Sequence, residues 1–355
     1  MPMNEREAAG TSAPAPESEG ASRGHLFGPR ARWARPFLGL SVLVAVVWWY
    51  PLEAFTDAFG VVNASTVFAA LGIGLATTLT SAARWLLVAR GVGLRLPWVR
   101  AVGDYYRAVF LNAVLPVGVL GDVHRALSHG RYAGDVPRGV RAVVLERMVG
   151  QVVLAATGAA LLFALPTALL GPGLLTIATS LGVVVLAMTV IGVGWMLGRR
   201  RGARWWRALS TTVQDARAGL CTMATGPGVL LSSVAALAGH VTLFLVAARA
   251  AGVTAPTPAL LPLAVLALVA MSVPANIGGW GPREAVTALA FGAAGLGSVV
   301  GVTVSVVYGL LALVAALPGG VVLLWRLLGV QGRQVSGEGL GQVRQKVASL
   351  GGRGT

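Results

Sequence analysis

Residues 273–284 read VPANIGGWGPRE, and residues 115–125 read LPVGVLGDVHR. Each stretch interrupts a long apolar run with a proline, then glycines, then charged residues. Proline removes a backbone donor and glycine is a poor helix former, so each stretch breaks the helix around it. Charged groups inside apolar runs are costly, at about 2.5–3.5 kcal/mol each on membrane-insertion scales. Two such interruptions decide how the remaining apolar runs are arranged.

Those runs dominate the chain. Of 355 residues, 55% are hydrophobic and only 12% charged, against about 25% charged in a soluble domain. A soluble globule is excluded, and so is disorder, which needs low hydrophobicity. The 48 glycines show no collagen period. A polytopic membrane protein remains.

A membrane-spanning helix needs about 20 apolar residues. By that ruler the chain predicts six full spans, at 37–55, 61–89, 142–165, 173–197, 228–250 and 298–325. Two further apolar regions, 101–128 and 259–297, contain the breaks and are expected to be re-entrant segments. Counted as short spans, they would raise the total to 8–10 helices. Residues 1–36 read as a disordered basic tail and 327–355 as a second tail.

Lys and Arg total 28 against 13 Asp and Glu, a formal charge of +15. The connections at 56–60, 166–172 and 251–258 hold no Lys or Arg, whereas those around Arg90–Arg100, Arg131–Arg141 and Arg199–Arg217 hold many. The positive-inside rule puts the Arg-rich connections and both termini in the cytoplasm. The segment 199–217 reads as an interfacial helix. Region 101–128 then enters and returns on the cytoplasmic side, and 259–297 on the other. The halves 37–165 and 173–325 share one order of elements, with three full spans each. An odd number reverses orientation, which predicts an inverted repeat with its binding site at the breaks.

Charged and polar residues gather there. Arg84, Arg107, Asp122, Arg125, Glu146, Arg147, Asn276, Arg283 and Glu284 are the candidate substrate-binding residues. Pro116, Gly118, Gly121, Pro274, Gly278, Gly279 and Gly281 are the candidate hinges. Asp122 and Arg125 stand three apart, on one face of a helix. Glu146–Arg147 and Arg283–Glu284 are adjacent in sequence, so each is expected to find its partner on another helix. The expected pairs cross the repeat: Glu146 with Arg283, and Glu284 with Arg125 or Arg147. Arginine exceeds carboxylate, and its planar fork matches phosphate. The expected ligand is anionic, a phospholipid or polyprenyl-phosphate headgroup or else a small anion, with Arg125, Arg147 and Arg283 on the phosphate.

No cofactor or metal site is expected. There is one cysteine, Cys221, and the histidines are scattered at His25, His124, His129 and His240. His240 is expected to bond to a neighbouring helix, and His124 and His129 to line the polar region. The single lysine, Lys346, lies in the tail, so there is no P-loop. No nucleophile–His–carboxylate set is legible, and no nucleic-acid-binding motif accompanies the charge. The expectation is a transporter and not an enzyme. A membrane-embedded enzyme, or an accessory subunit of lipid or lipid-linked glycan synthesis, is the competing class.

The blocks FLNAVLPVGVLGDVHRAL (110–127), VVLERMVG (143–150) and SVPANIGGWGPREAVTALAFG (272–292), with Arg84–Trp85, resemble the transmembrane region of the lysylphosphatidylglycerol synthase/flippase family. The resemblance covers 37–326. It implies a lipid flippase of the bacterial plasma membrane, with a separate lipid-modifying enzyme as a candidate partner. In fused members a cytosolic domain aminoacylates the lipid. This chain ends at Thr355, so that domain and its transferase activity are expected to be absent.

Overall fold

Asn63 starts the first long helix. Its Oδ1 accepts from the Thr66 amide at 3.1 Å, while its own amide donates to Thr66 Oγ1 at 3.0 Å. This reciprocal cap satisfies two amides that the helix cannot bond internally. Proline opens other elements: Pro97 and Pro256 stand at N-caps and Pro282 at the first helical position. Left-handed glycines end them, with Gly93, Gly134, Gly252 and Gly295 at φ of 73–80° after four of the helices.

In the computed structural model, residues 53–115, 118–164, 225–272 and 280–351 are described, along with positions 44, 48, 172–173, 175–179 and 182. The helices there are α1 (Glu53–Gly60), α2 (Ala64–Gly91), α3 (Trp98–Val114), α4 (Leu120–Tyr132), α5 (Val136–Ala164), α6 (Gly226–Ala250), α7 (Thr257–Met271), α8 (Pro282–Ala293) and α9 (Ser298–Gly351). The fold is helical. Among the described residues, four helices are long and apolar enough to cross a membrane: Ala64–Gly91, Val136–Leu161, Gly226–Ala250 and Ser298–Arg326.

These match four of the six expected spans. The other two, 37–55 and 173–197, and the interfacial segment 199–217 lie wholly or mostly outside the described residues. Each broken region is a pair of short helices, α3–α4 and α7–α8. Three boundaries differ from expectation. The stretch 56–60 is helix α1, not a bare connection. α5 begins six residues before the apolar run, because Arg138 and Arg141 lower hydropathy without preventing helix. α9 runs on through the expected tail to Gly351, carrying Pro318 within it.

Taking α2–α5 as one set and α6–α9 as another, the packing repeats. α3 packs on α4 as α7 does on α8, and α4 on α5 as α8 does on α9. α2 meets α3 and α5 as α6 meets α7 and α9. Across the sets, α3–α9 answers α5–α7, α2–α9 answers α5–α6, and α2–α6 is its own counterpart. Small residues permit the closest crossings. A Cβ on Gly239 of α6 would collide with Thr77 of α2, and one on Gly319 of α9 with the Tyr106 carbonyl of α3. The largest apolar core joins α6–α9 around Phe244, Leu263, Phe291 and Leu311.

Candidate functional site: an arginine-lined cavity between the helix sets

Glu146 on α5 is the hub of the first cluster, with a side chain fully closed to solvent. Its Oε1 accepts from Arg84 Nε at 2.8 Å, from Arg84 Nη2, and from Tyr105 Oη at 3.3 Å. Its Oε2 accepts from Arg125 Nη2 at 2.9 Å. That same Nη2 reaches Asp122 Oδ1 at 2.8 Å. Asp122 Oδ2 accepts from Arg147 Nη2 at 2.6 Å and Asn112 Nδ2 at 3.0 Å. Asn112 Oδ1 in turn accepts from the Gly121 amide at 2.8 Å, closing the break between α3 and α4. The chain of contacts runs Arg84–Glu146–Arg125–Asp122–Arg147. Burying such charges is tolerable only because every carboxylate in the chain is paired and hydrogen-bonded.

Arg125 is stacked as well as paired. Its guanidinium carbon lies 4.5 Å from the Trp85 ring and 4.4 Å from the Tyr105 ring. This cation–π sandwich covers its Nε and Nη1, which have no hydrogen-bond partner.

The second cluster stands at the start of α8. Glu284 Oε2 accepts from the Gly281 amide at 2.6 Å, and Gly281 takes φ 108°, which favours glycine. Glu284 Oε1 accepts from Arg283 Nε at 3.0 Å, from Arg283 Nη2, and from Ser305 Oγ at 3.2 Å. The Arg283 guanidinium lies between Trp280 and Tyr308, at 5.0 and 5.2 Å. Gly309 makes room for it: a Cβ there would stand 2.5 Å from Arg283 Nη2. Asp122 and Glu284 hold the same place, the third residue of α4 and of α8. A carboxylate there faces the positive end of the helix dipole.

Between the clusters lies a cavity of about 390 Å³, within the range of small-molecule sites. α2 presents Gly74, Thr77, Ser81 and Arg84 to it, and α5 presents Arg147, Gly150, Gln151 and Leu154. α6 adds Ser233 and His240, and the second break and α9 add Trp280, Arg283 and Tyr308. Tyr308 Oη and His240 Nδ1 are 3.5 Å apart, linking α9 to α6 as expected for that histidine. Leu237, Leu243, Leu268 and Met271 add apolar surface to the wall.

Of the candidate residues, Arg84, Arg147, Arg283 and Gly118 line this cavity. Asp122, Arg125, Glu146 and Glu284 stand behind them. Arg107 is elsewhere: it pairs with Asp104, whose Oδ1 also accepts from Arg326 Nη1 at 2.9 Å. Gly118 has φ 62° at the break, whereas Gly121 lies within α4, where a Cβ would strike the Ala108 carbonyl. Asn276, Pro116, Pro274, Gly278 and Gly279 lie outside the described residues. His124 and His129 are not among the lining residues; His129 is buried edge-on against Trp85 at 5.2 Å.

The expected cross-repeat pairs do not form. Glu146 bonds Arg84 and Arg125, not Arg283, and Glu284 bonds its neighbour Arg283, not Arg125 or Arg147. The adjacency rule fails at the first turn of α8. Glu284 folds back over the helix start to cap Gly281, and the long Arg283 side chain reaches it there. The sequence reading passed over Ser81, Gln151, Ser233 and Ser305. A helical period counted back from Arg84 and forward from Arg147 reaches the first two: Ser81, Thr77 and Gly74 on one side, Gly150, Gln151 and Leu154 on the other.

No curated protein matches this chain, and no solved structure matches it. Its residues 37–320 match the family described as the lysylphosphatidylglycerol synthase TM region. That stretch takes in both breaks, both clusters and the cavity, and the chain is a multi-pass helical membrane protein belonging to this family.

Proposed function

We propose that this protein translocates an anionic lipid between the leaflets of the bacterial plasma membrane, with the cavity as the headgroup site. One observation carries the reading: guanidinium groups from both helix sets, Arg84 and Arg147 from one and Arg283 from the other, converge on a single cavity. Arginine recognises phosphate through paired donors, and a lipid-facing interior rarely holds charge without a task. Apolar walls beside these groups suit the first carbons of the acyl chains.

The two sets are an inverted repeat in this proposal, with both termini in the cytoplasm. The exchangeable packing of α2–α5 and α6–α9 supports it, as do short helix pairs at matching places. The α3–α4 and α7–α8 pairs are re-entrant from opposite faces, and one set rocks on the other about the α2–α6 contact. Asp122, Arg125, Glu146 and Glu284 position the arginines that touch the lipid. In this reading the protein acts as a transporter, and Asp122, Glu146 and Glu284, each paired with guanidinium groups, serve to hold those groups in place.

The test is outer-leaflet quenching in proteoliposomes holding fluorescent phosphatidylglycerol or phosphatidylcholine. Fast translocation of the anionic lipid is expected, with loss in Arg147→Ala. Arg147 has a side chain 44% exposed, and among the described residues its one ion pair is with Asp122, so its removal is expected to leave the bundle folded. Undiminished translocation by a folded Arg147→Ala variant would remove the assignment.

A further inference from the structure

A second concavity, of about 710 Å³, shares no residue with the cavity described above. Arg90, Leu94, Arg95, Leu96, Pro97 and Tyr132 line it. Its frame is the turn that joins α2 to α3. The Gly93 amide donates to the Arg90 carbonyl at 2.9 Å, and the Leu94 amide to the Ala89 carbonyl at 2.8 Å, with Gly93 at φ 78°. This pair of bonds closes the end of α2. Leu94 is buried in one core with Val88 and Leu145, and Leu96 in another with Trp85, so both pin the turn to the bundle. Pro97 then opens α3. Tyr132, the last residue of α4, supplies another wall, and the Arg100 guanidinium lies 3.9 Å from its ring. The concavity is thus framed by three helix ends.

Two exposed guanidiniums there lack a counter-charge. Among the described residues, neither Arg90 nor Arg95 forms an ion pair. The carboxylates of the adjoining segments are taken, Asp104 by Arg107 and Arg326 and Asp135 by Arg138. Arg90 is the second-last residue of α2, which is apolar enough to cross the membrane, so the concavity lies at the edge of the apolar layer. Its lining suits that level: Leu94, Leu96, Pro97 and the Tyr132 ring are apolar, and the two arginines are not. Basic pockets at the ends of spanning helices bind anionic headgroups in this way.

We propose that this concavity is a second anion site, holding the phosphate of an anionic lipid at the membrane surface. It is separate from the central cavity and independent of transport through it. A free phosphate ion offers the same charge without acyl chains, and the experiment separates the two sources.

Binding to the purified full chain is read by native mass spectrometry in a neutral detergent, with cardiolipin or phosphatidylcholine added. Cardiolipin is expected to bind, and Arg90→Gln combined with Arg95→Gln is expected to weaken its binding about tenfold or more. Both positions are exposed, so the variant is expected to fold, and its unfolding midpoint without lipid checks this. Arg131→Gln combined with Arg138→Gln removes the same charge outside the concavity and is expected to change binding little. Equal losses in the two variants overturn the site, since surface charge alone then explains the binding. Undiminished cardiolipin binding in the first variant overturns it as well. Unfolding midpoints with cardiolipin or with inorganic phosphate read the source. A rise with cardiolipin that the first variant loses supports the lipid, and an equal rise with inorganic phosphate overturns it in favour of the free ion.

Discussion

Arg125 and Glu146 meet at 2.9 Å on facing helices, with neither side chain exposed to solvent. Around this contact the first cluster is built, since Glu146 also holds Arg84 and Arg125 also holds Asp122. Glu146→Gln keeps the shape but replaces one acceptor oxygen with an amide that points donors at a guanidinium. Two buried arginines then share one acceptor. The expected loss is about 3–5 kcal/mol, the usual cost of breaking a buried pair. Thermal unfolding in detergent, followed by tryptophan fluorescence, reads it. A loss below about 1 kcal/mol would mean that the hub is not needed for stability.

Gly309 faces the Arg283 guanidinium and the Trp280 ring, and a Cβ there would stand 2.5 Å from the first and 2.7 Å from the second. Gly309→Ala is expected to displace Arg283 from its aromatic partners. Overpacking of this kind costs about 1–3 kcal/mol. Lipid binding should weaken beyond what the stability change explains, because Arg283 lines the cavity. Unchanged binding in Gly309→Ala would show that the position of Arg283 does not matter.

At the α2–α6 crossing, a Cβ on Gly239 collides with Thr77. Gly239→Ala should destabilise the bundle by about 1–3 kcal/mol, and adding Thr77→Ala should recover most of it. A double-mutant cycle on the unfolding midpoints measures the coupling. Additive effects would mean that the two residues do not meet.

Asp104 gives a contrast. It holds Arg107 and Arg326, tying α3 to α9, and does not line the cavity. Asp104→Asn should lower stability through the loss of these pairs while leaving the order of lipid preference unchanged. A reordered preference between phosphatidylglycerol and phosphatidylcholine would bring this third cluster into the site.

Membrane residence, the helical class and the grouping of charges at two breaks were legible in the residues alone. Hydropathy over about 20 residues is a local property, and so is the period that puts Asp122 and Arg125 on one face, where they do meet. Span boundaries were less legible. Hydropathy marks what lies in lipid, whereas helices such as α5 and α9 continue past that limit.

Which charges face one another was decided by tertiary structure. Arg84 and Arg125 differ little as letters, yet one lines the cavity and the other is closed between Trp85 and Tyr105. Arg107 left the site because it pairs with Asp104 on its own helix, where α9 also brings Arg326. Glu284 took its own neighbour because the first turn of α8 lets a capping carboxylate fold back. Pairings of this kind depend on how closely helices approach, as at Gly239 and Gly309, and on where long side chains end. Neither is set by spacing along one helix; both arise when the two helix sets pack.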